Sequence, residues 1–74
     1  MNEKYAVKYI KEGFGLFIND LDSLEIAISE ALDLQEENCI FIDIFHYITD
    51  YEDCEYLFSL DEYLYHINES RFDW

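Results

Sequence analysis

The chain has 74 residues, 18 Asp plus Glu against four Lys plus Arg, and a net charge of −14 at pH 7. That length supports one domain over residues 1–74, near the lower limit for folding without staples, and 24 Leu, Ile, Val and Phe supply a small core. The negative field excludes nucleic acid or anionic lipid as ligands of the protein's own surface, and no stretch approaches the ~20 apolar residues of a membrane span.

The expected class is α+β, a small antiparallel sheet of about three strands carrying one or two acidic helices. Residues Lys4 to Ile10 alternate, with Tyr5, Val7 and Tyr9 on one face, as a half-buried strand does. The charged, alternating start from Met1 to Lys11 also argues against a signal peptide. Lys11-Glu12-Gly13 turns the chain into a second strand bearing Phe14, Leu16 and Ile18. The period then changes. Asp22 and Glu25 have capping-box spacing, and Leu21 can staple to Ile26 across it. Leu24, Ala27, Ile28, Ala31 and Leu32 form one apolar helix face, opposite Glu25, Ser29, Glu30, Asp33 and Glu37. Ile40, Ile42, Ile44 and Ile48 alternate with Phe41, Asp43, Phe45 and Tyr47, which predicts a central strand partly covered on both faces. From Cys54 onward the pattern fits two periods. Cys54, Leu57, Phe58, Leu64 and Tyr65 make a helical stripe, and Cys54, Tyr56, Phe58 and Leu60 a strand. Thr49 with Glu52 and Ser59 with Glu62 both have capping-box spacing, so a helix is the expectation here. An open edge at residues 4–10, with the surplus of aromatics, suggests a possible homodimer.

Charge is segregated. Lys4, Lys8 and Lys11 lie at the start and Arg71 near the end, while Glu12 to Ser70 holds 16 carboxylates and no Lys or Arg. Interspersed signs at helical spacing would each contribute a few tenths of a kcal/mol. The chain forgoes that gain and accepts self-repulsion.

Chemistry-bearing constellations are sparse. Asp50, Glu52, Asp53 and Glu55 superficially match a calcium loop but lack its sixth-position glycine and terminal glutamate. Asp20 and Asp22 suit a helix N-terminus better than a metal. Cys39, Cys54, His46 and His66 have zinc-ligand chemistry without a short paired spacing. Two cysteines build no disulfide scaffold, which suggests reduced thiols in a cytoplasmic protein. Gly13-Phe14-Gly15 is too short for a phosphate loop, and no activated nucleophile is apparent. The expectation is a non-enzyme with no metal and no cofactor.

The acidic field remains. Its candidate phosphate mimics are Glu25, Glu30, Asp33, Glu36, Glu37, Asp50, Glu52, Asp53, Asp61 and Glu62, with Tyr51 and Tyr56 as aromatic anchors among them. A globule of this length has a radius of gyration of about 11 Å, so its carboxylates approach the charge density of duplex DNA. Gly15-Leu16-Phe17-Ile18, the acidic helix, Glu37-Asn38-Cys39-Ile40-Phe41-Ile42-Asp43 and Asp50-Tyr51-Glu52-Asp53 together resemble the N-terminal domain of the ArdA antirestriction family. The resemblance covers most of this chain and one domain of a three-domain family. It implies DNA mimicry and blockage of restriction–modification enzymes. The expected function is thus an acidic DNA mimic, encoded by a phage or mobile element. It would act in the host bacterial cytoplasm on a basic DNA-binding defence complex, either a restriction enzyme or a CRISPR effector. The alternative is an immunity or antitoxin protein that neutralises one basic toxin or nuclease.

Overall fold

A computed structural model describes residues 3–49 and 53–72, with side chains through residue 67. The class is α+β. Strands β1 (Glu3–Lys11), β2 (Phe14–Leu21), β3 (Ile40–Ile48) and β4 (Cys54–Ser59) form one antiparallel sheet in the order β2-β1-β3-β4. Helices α1 (Leu24–Glu36) and α2 (Leu60–Phe72) follow β2 and β4. The sheet therefore has four strands rather than about three.

The β1–β2 hairpin closes through Glu12 and Gly13, with φ of 53° and 86° between the paired Lys11 and Phe14. Two consecutive positive φ values give the twist that a two-residue hairpin needs. β1 lies between β2 and β3, so residues 4–10 are interior and offer no open edge; the edges are β2 and β4. The expected helix after Cys54 starts only at Leu60. A strand wins over Cys54–Ser59 because the outer edge of β3 carries backbone groups that β4 pairs, from Tyr47↔Cys54 to Asp43↔Ser59.

α1 is capped by Ser23, whose hydroxyl accepts from the Ile26 N–H at 3.2 Å. This displaces the expected Asp22–Glu25 box by one residue, because Asp22 is drawn away to pair with Lys4 across the hairpin. Ile26 accordingly faces outward, 43% exposed, while Leu21 packs on the core. The Ser59–Glu62 box forms, with Glu62 N–H donating to Ser59 Oγ at 3.2 Å and Ser59 N–H to Glu62 Oε1 at 3.4 Å. The Thr49–Glu52 pair lies outside the described residues.

One face of the sheet carries both helices. Val7, Ile42 and Ile44 meet Ala27, Ala31 and Leu34 of α1 and Leu60 of α2, with Tyr5, Ile18, Leu24, Ile28 and Phe58 around them. The other face is not covered by a helix. Strand alternation and register place Lys4, Ala6 and Lys8 there beside Tyr47, Phe45 and Asp43, with Phe17 and Tyr56 flanking them. Tyr47 reaches over β1 to Asp20, accepting from its N–H at 3.0 Å and donating to its carboxylate at 2.9 Å. The result is a plate, 42 × 32 × 16 Å, with a radius of gyration of 13.1 Å. It exceeds the ~11 Å of an equal-length globule because a two-layer plate spreads its mass sideways.

Candidate polyanionic face

The acidic face is built by α1. Ala27, Ala31 and Leu34 turn one side of this helix into the core, which fixes Glu25, Asp33 and Glu36 on the solvent side and leaves Glu30 half-buried. Glu25 sits in the first turn, where a carboxylate meets the positive end of the helix dipole. The other end is different. Its last turn holds no basic residue, and Glu36 and Glu37 crowd the negative end of the dipole. Such placement costs about 0.3–1 kcal/mol per charge. Among the described residues only Glu37 is offset, by Lys11 at 3.3 Å, and that partner holds the Lys11 ammonium above its usual pKa.

A second group lies where β4 enters α2. Glu62 Oε1 accepts from Tyr56 Oη at 2.8 Å and from Ser59 Oγ at 3.2 Å. These hydrogen bonds hold the Glu62 carboxyl below its ordinary pKa, and the Glu62 bond pushes the Tyr56 phenol up. Tyr56 also packs edge-on against Phe45 with centroids 5.7 Å apart. The structure thus brings two predicted site residues together, and gives Glu62 a capping role as well as a surface charge. Asp61 is exposed beside them and lines a groove shared with Gln35 at the end of α1. Asp53 is exposed at the opposite end of β4, about 20 Å from α2 at ~3.3 Å per strand residue. Among the described residues, the candidate acids therefore fall into separate patches rather than one unbroken stripe. Asp50, Tyr51 and Glu52 lie outside the described residues.

Every described lysine is engaged within the fold. Lys4 pairs with Asp22, and that hydrogen bond raises its pKa. Lys8 lies 6.0 Å over the Phe17 ring and interacts with Asp43, whose carboxyl is nonetheless pushed up, chiefly by burial. Sequence reasoning missed this open-face cluster, because it emerges only once β1 is known to pair with both β2 and β3. His46, weighed from the sequence only for zinc-ligand chemistry, lies half-buried on the helix face beside Tyr5, and its two carboxylate neighbours, Glu3 at 3.4 Å and Glu55 at 3.9 Å from its two nitrogens, were not foreseen.

Among the described residues, no three His, Cys, Asp or Glu side chains converge on a metal position, and none of the helices is long and apolar enough to cross a membrane. Cys39 is buried and Cys54 exposed, both as free thiols. No family model matches the chain, and no characterised protein or solved structure shows significant similarity to it.

Proposed function

We propose that this protein is an acidic DNA mimic that occupies the DNA-binding site of a basic protein. The observation that carries the reading is the charge of α1. Glu25, Glu30, Asp33, Glu36 and Glu37 span about 18 Å of helix at 1.5 Å per residue. That is one carboxylate per ~4 Å, close to the one phosphate per 3.4 Å of a single DNA strand. Glu36 stands at the dipole end that disfavours it with no offsetting partner among the described residues, so helix stability does not account for its placement. Asp53, Asp61 and Glu62 extend the field, and Asp50 and Glu52 are assigned to it on sequence alone. Tyr56, held by Glu62, and Tyr51 supply the aromatic contacts.

A host defence complex, whether a restriction enzyme or a CRISPR effector, is the proposed target. This follows the resemblance to ArdA N-terminal domains, and it implies an origin in a phage or mobile element and action in the bacterial cytoplasm. The test is affinity capture from bacterial lysates that carry several defence systems, read by mass spectrometry. The expected catch is a DNA-binding complex that duplex DNA displaces and that a moderate-salt wash removes, since phosphate-like contacts are salt-sensitive. A single small basic protein, retained through the salt wash, would overturn mimicry and identify a toxin neutraliser instead.

A further inference from the structure

At the start of β3 the backbone leaves strand geometry at one residue. Phe41 has φ of 51°, in the left-handed region that a bulky side chain rarely enters. The bulge there shifts the pairing with β1 between Lys8 and Ile10 and leaves the Phe41 ring 72% exposed. Neither feature is explained by packing, because glycine would fit the backbone better and little of the ring is buried. The ring lies on a half-open groove of about 390 Å³. Ile42 and Leu60, both buried, belong to its floor, and Ile40 adds further exposed apolar surface. Gln35 and Asp61 are the residues of its lining that carry an amide and a carboxylate. Among the described residues, Asp61 has no ion-pair partner.

We infer that this groove receives an arginine side chain of the partner protein. The inference rests on the proposal above that the partner is basic, and the charge of −14 selects a cation as occupant. Arginine fits better than lysine. Its methylenes cover the Ile42 and Leu60 floor, its flat guanidinium stacks on the Phe41 ring, and its fork of donors reaches the Asp61 carboxylate and the Gln35 amide oxygen. Beside the phosphate-like carboxylates, the ring then presents a flat π-face as a nucleic-acid base does.

The test titrates the isotope-labelled protein with nona-arginine and, separately, nona-lysine peptide at one ionic strength, following backbone amide shifts by NMR. The arginine peptide is expected to give saturable shifts at Gln35, Phe41 and Asp61, with a dissociation constant about three- to fivefold lower than the lysine peptide. Phe41→Gly suits the local φ, so it keeps the bulge while removing the ring, and it should bring that ratio to about one. Phe41→Leu keeps apolar bulk without a π-face and should do the same. Amide positions outside the groove report that both variants remain folded. A wild-type ratio of one, or a preference that survives Phe41→Gly, overturns the inference. Shifts confined to Glu25 through Glu36 and equal for both peptides also overturn it while leaving the polyanion reading intact; no binding of either peptide at low salt removes both.

Discussion

Individual side chains show where this fold gives up stability and where it keeps it. Glu36 stands at the negative end of the α1 dipole, with Asp33 one turn before it. Glu36→Lys reverses an unfavourable charge–dipole contact and gains an Asp–Lys pair at helical spacing. It should stabilise the protein by about 0.5–1 kcal/mol in urea denaturation while weakening capture of the basic target. A variant that lost stability would contradict the dipole argument. The Ser59 cap works in the other direction. Ser59→Ala removes the hydroxyl that accepts from the Glu62 N–H and donates to its carboxylate, leaving only the backbone half of the capping box, and so loosens Glu62 under Tyr56. It should cost about 1 kcal/mol, a fall of about 4–8 °C in melting midpoint for a domain of this size. Asp43 and Glu62 have opposite linkage. Asp43 has a folded pKa above the unfolded one, so its favourable contribution is complete below the ordinary carboxylate range and is lost as pH rises through the folded value. Glu62 has the lowered value, and its contribution is lost as pH falls through it. Asp43→Asn should therefore melt higher than wild type at pH 7, and the difference should close by about pH 3. A difference that persists there would assign the effect to packing rather than charge.

At the scale of elements, periodicity identifies what local pattern controls. β1, the Glu12–Gly13 turn, β2, α1 and β3 are all readable, because each has a uniform apolar period bounded by a turn or cap. The failures share a cause, which is competition between segments distant in sequence. Cys54–Ser59 satisfies both periods, and only the unpaired edge of β3 selects the strand. Asp22 has cap chemistry, yet Lys4 on the neighbouring strand takes it and Ser23 replaces it. The isoleucine alternation of β3 is interrupted at Phe41, where the bulge aligns Ile40 with Ile10 and leaves it exposed. A one-residue insertion of this kind reverses facing and leaves no mark in composition. The acids of α1 are legible as a face because the helix period sorts them. The groove is not, since it unites the ends of α1, β3 and α2. Leu60 tests that junction. It is 2% exposed where β4 becomes α2 and joins the common core. Leu60→Ala should cost about 2–5 kcal/mol, enough to unfold much of a small domain at 37 °C. A cost under 1 kcal/mol would mean that α2 is not integral to the core.

For the molecule as a whole, charge and shape oppose each other. A plate 16 Å thick holds −14 net charges, so no carboxylate is far from many others on the scale of a Debye length. Two lysine–carboxylate pairs, Lys4–Asp22 and Lys11–Glu37, favour low salt. Both are exposed, so solvent screens them and they contribute little. Repulsion among unpaired acids favours high salt, and there are many more of them. Raising salt from about 20 to 300 mM, which shortens the Debye length about fourfold, should therefore raise the melting midpoint. A falling midpoint would mean that the two ion pairs outweigh the field. Acidification should separate stability from solubility. Toward pH 5 the loss of charge relieves repulsion, and the folded state should tolerate it. Near pH 4.1, where the net charge reaches zero, repulsion between molecules vanishes as well. Edge strand β2 then presents Phe14, Leu16 and Phe17, at 70%, 41% and 59% exposure, to other copies with nothing to keep them apart. A solubility minimum near pH 4 in light scattering is expected while far-UV circular dichroism stays native. Phe14→Lys and Phe17→Lys should relieve that minimum, because each places a charge on the exposed edge strand without entering the core. If the precipitate instead formed only after the native spectrum was lost, unfolding rather than edge pairing would be the cause.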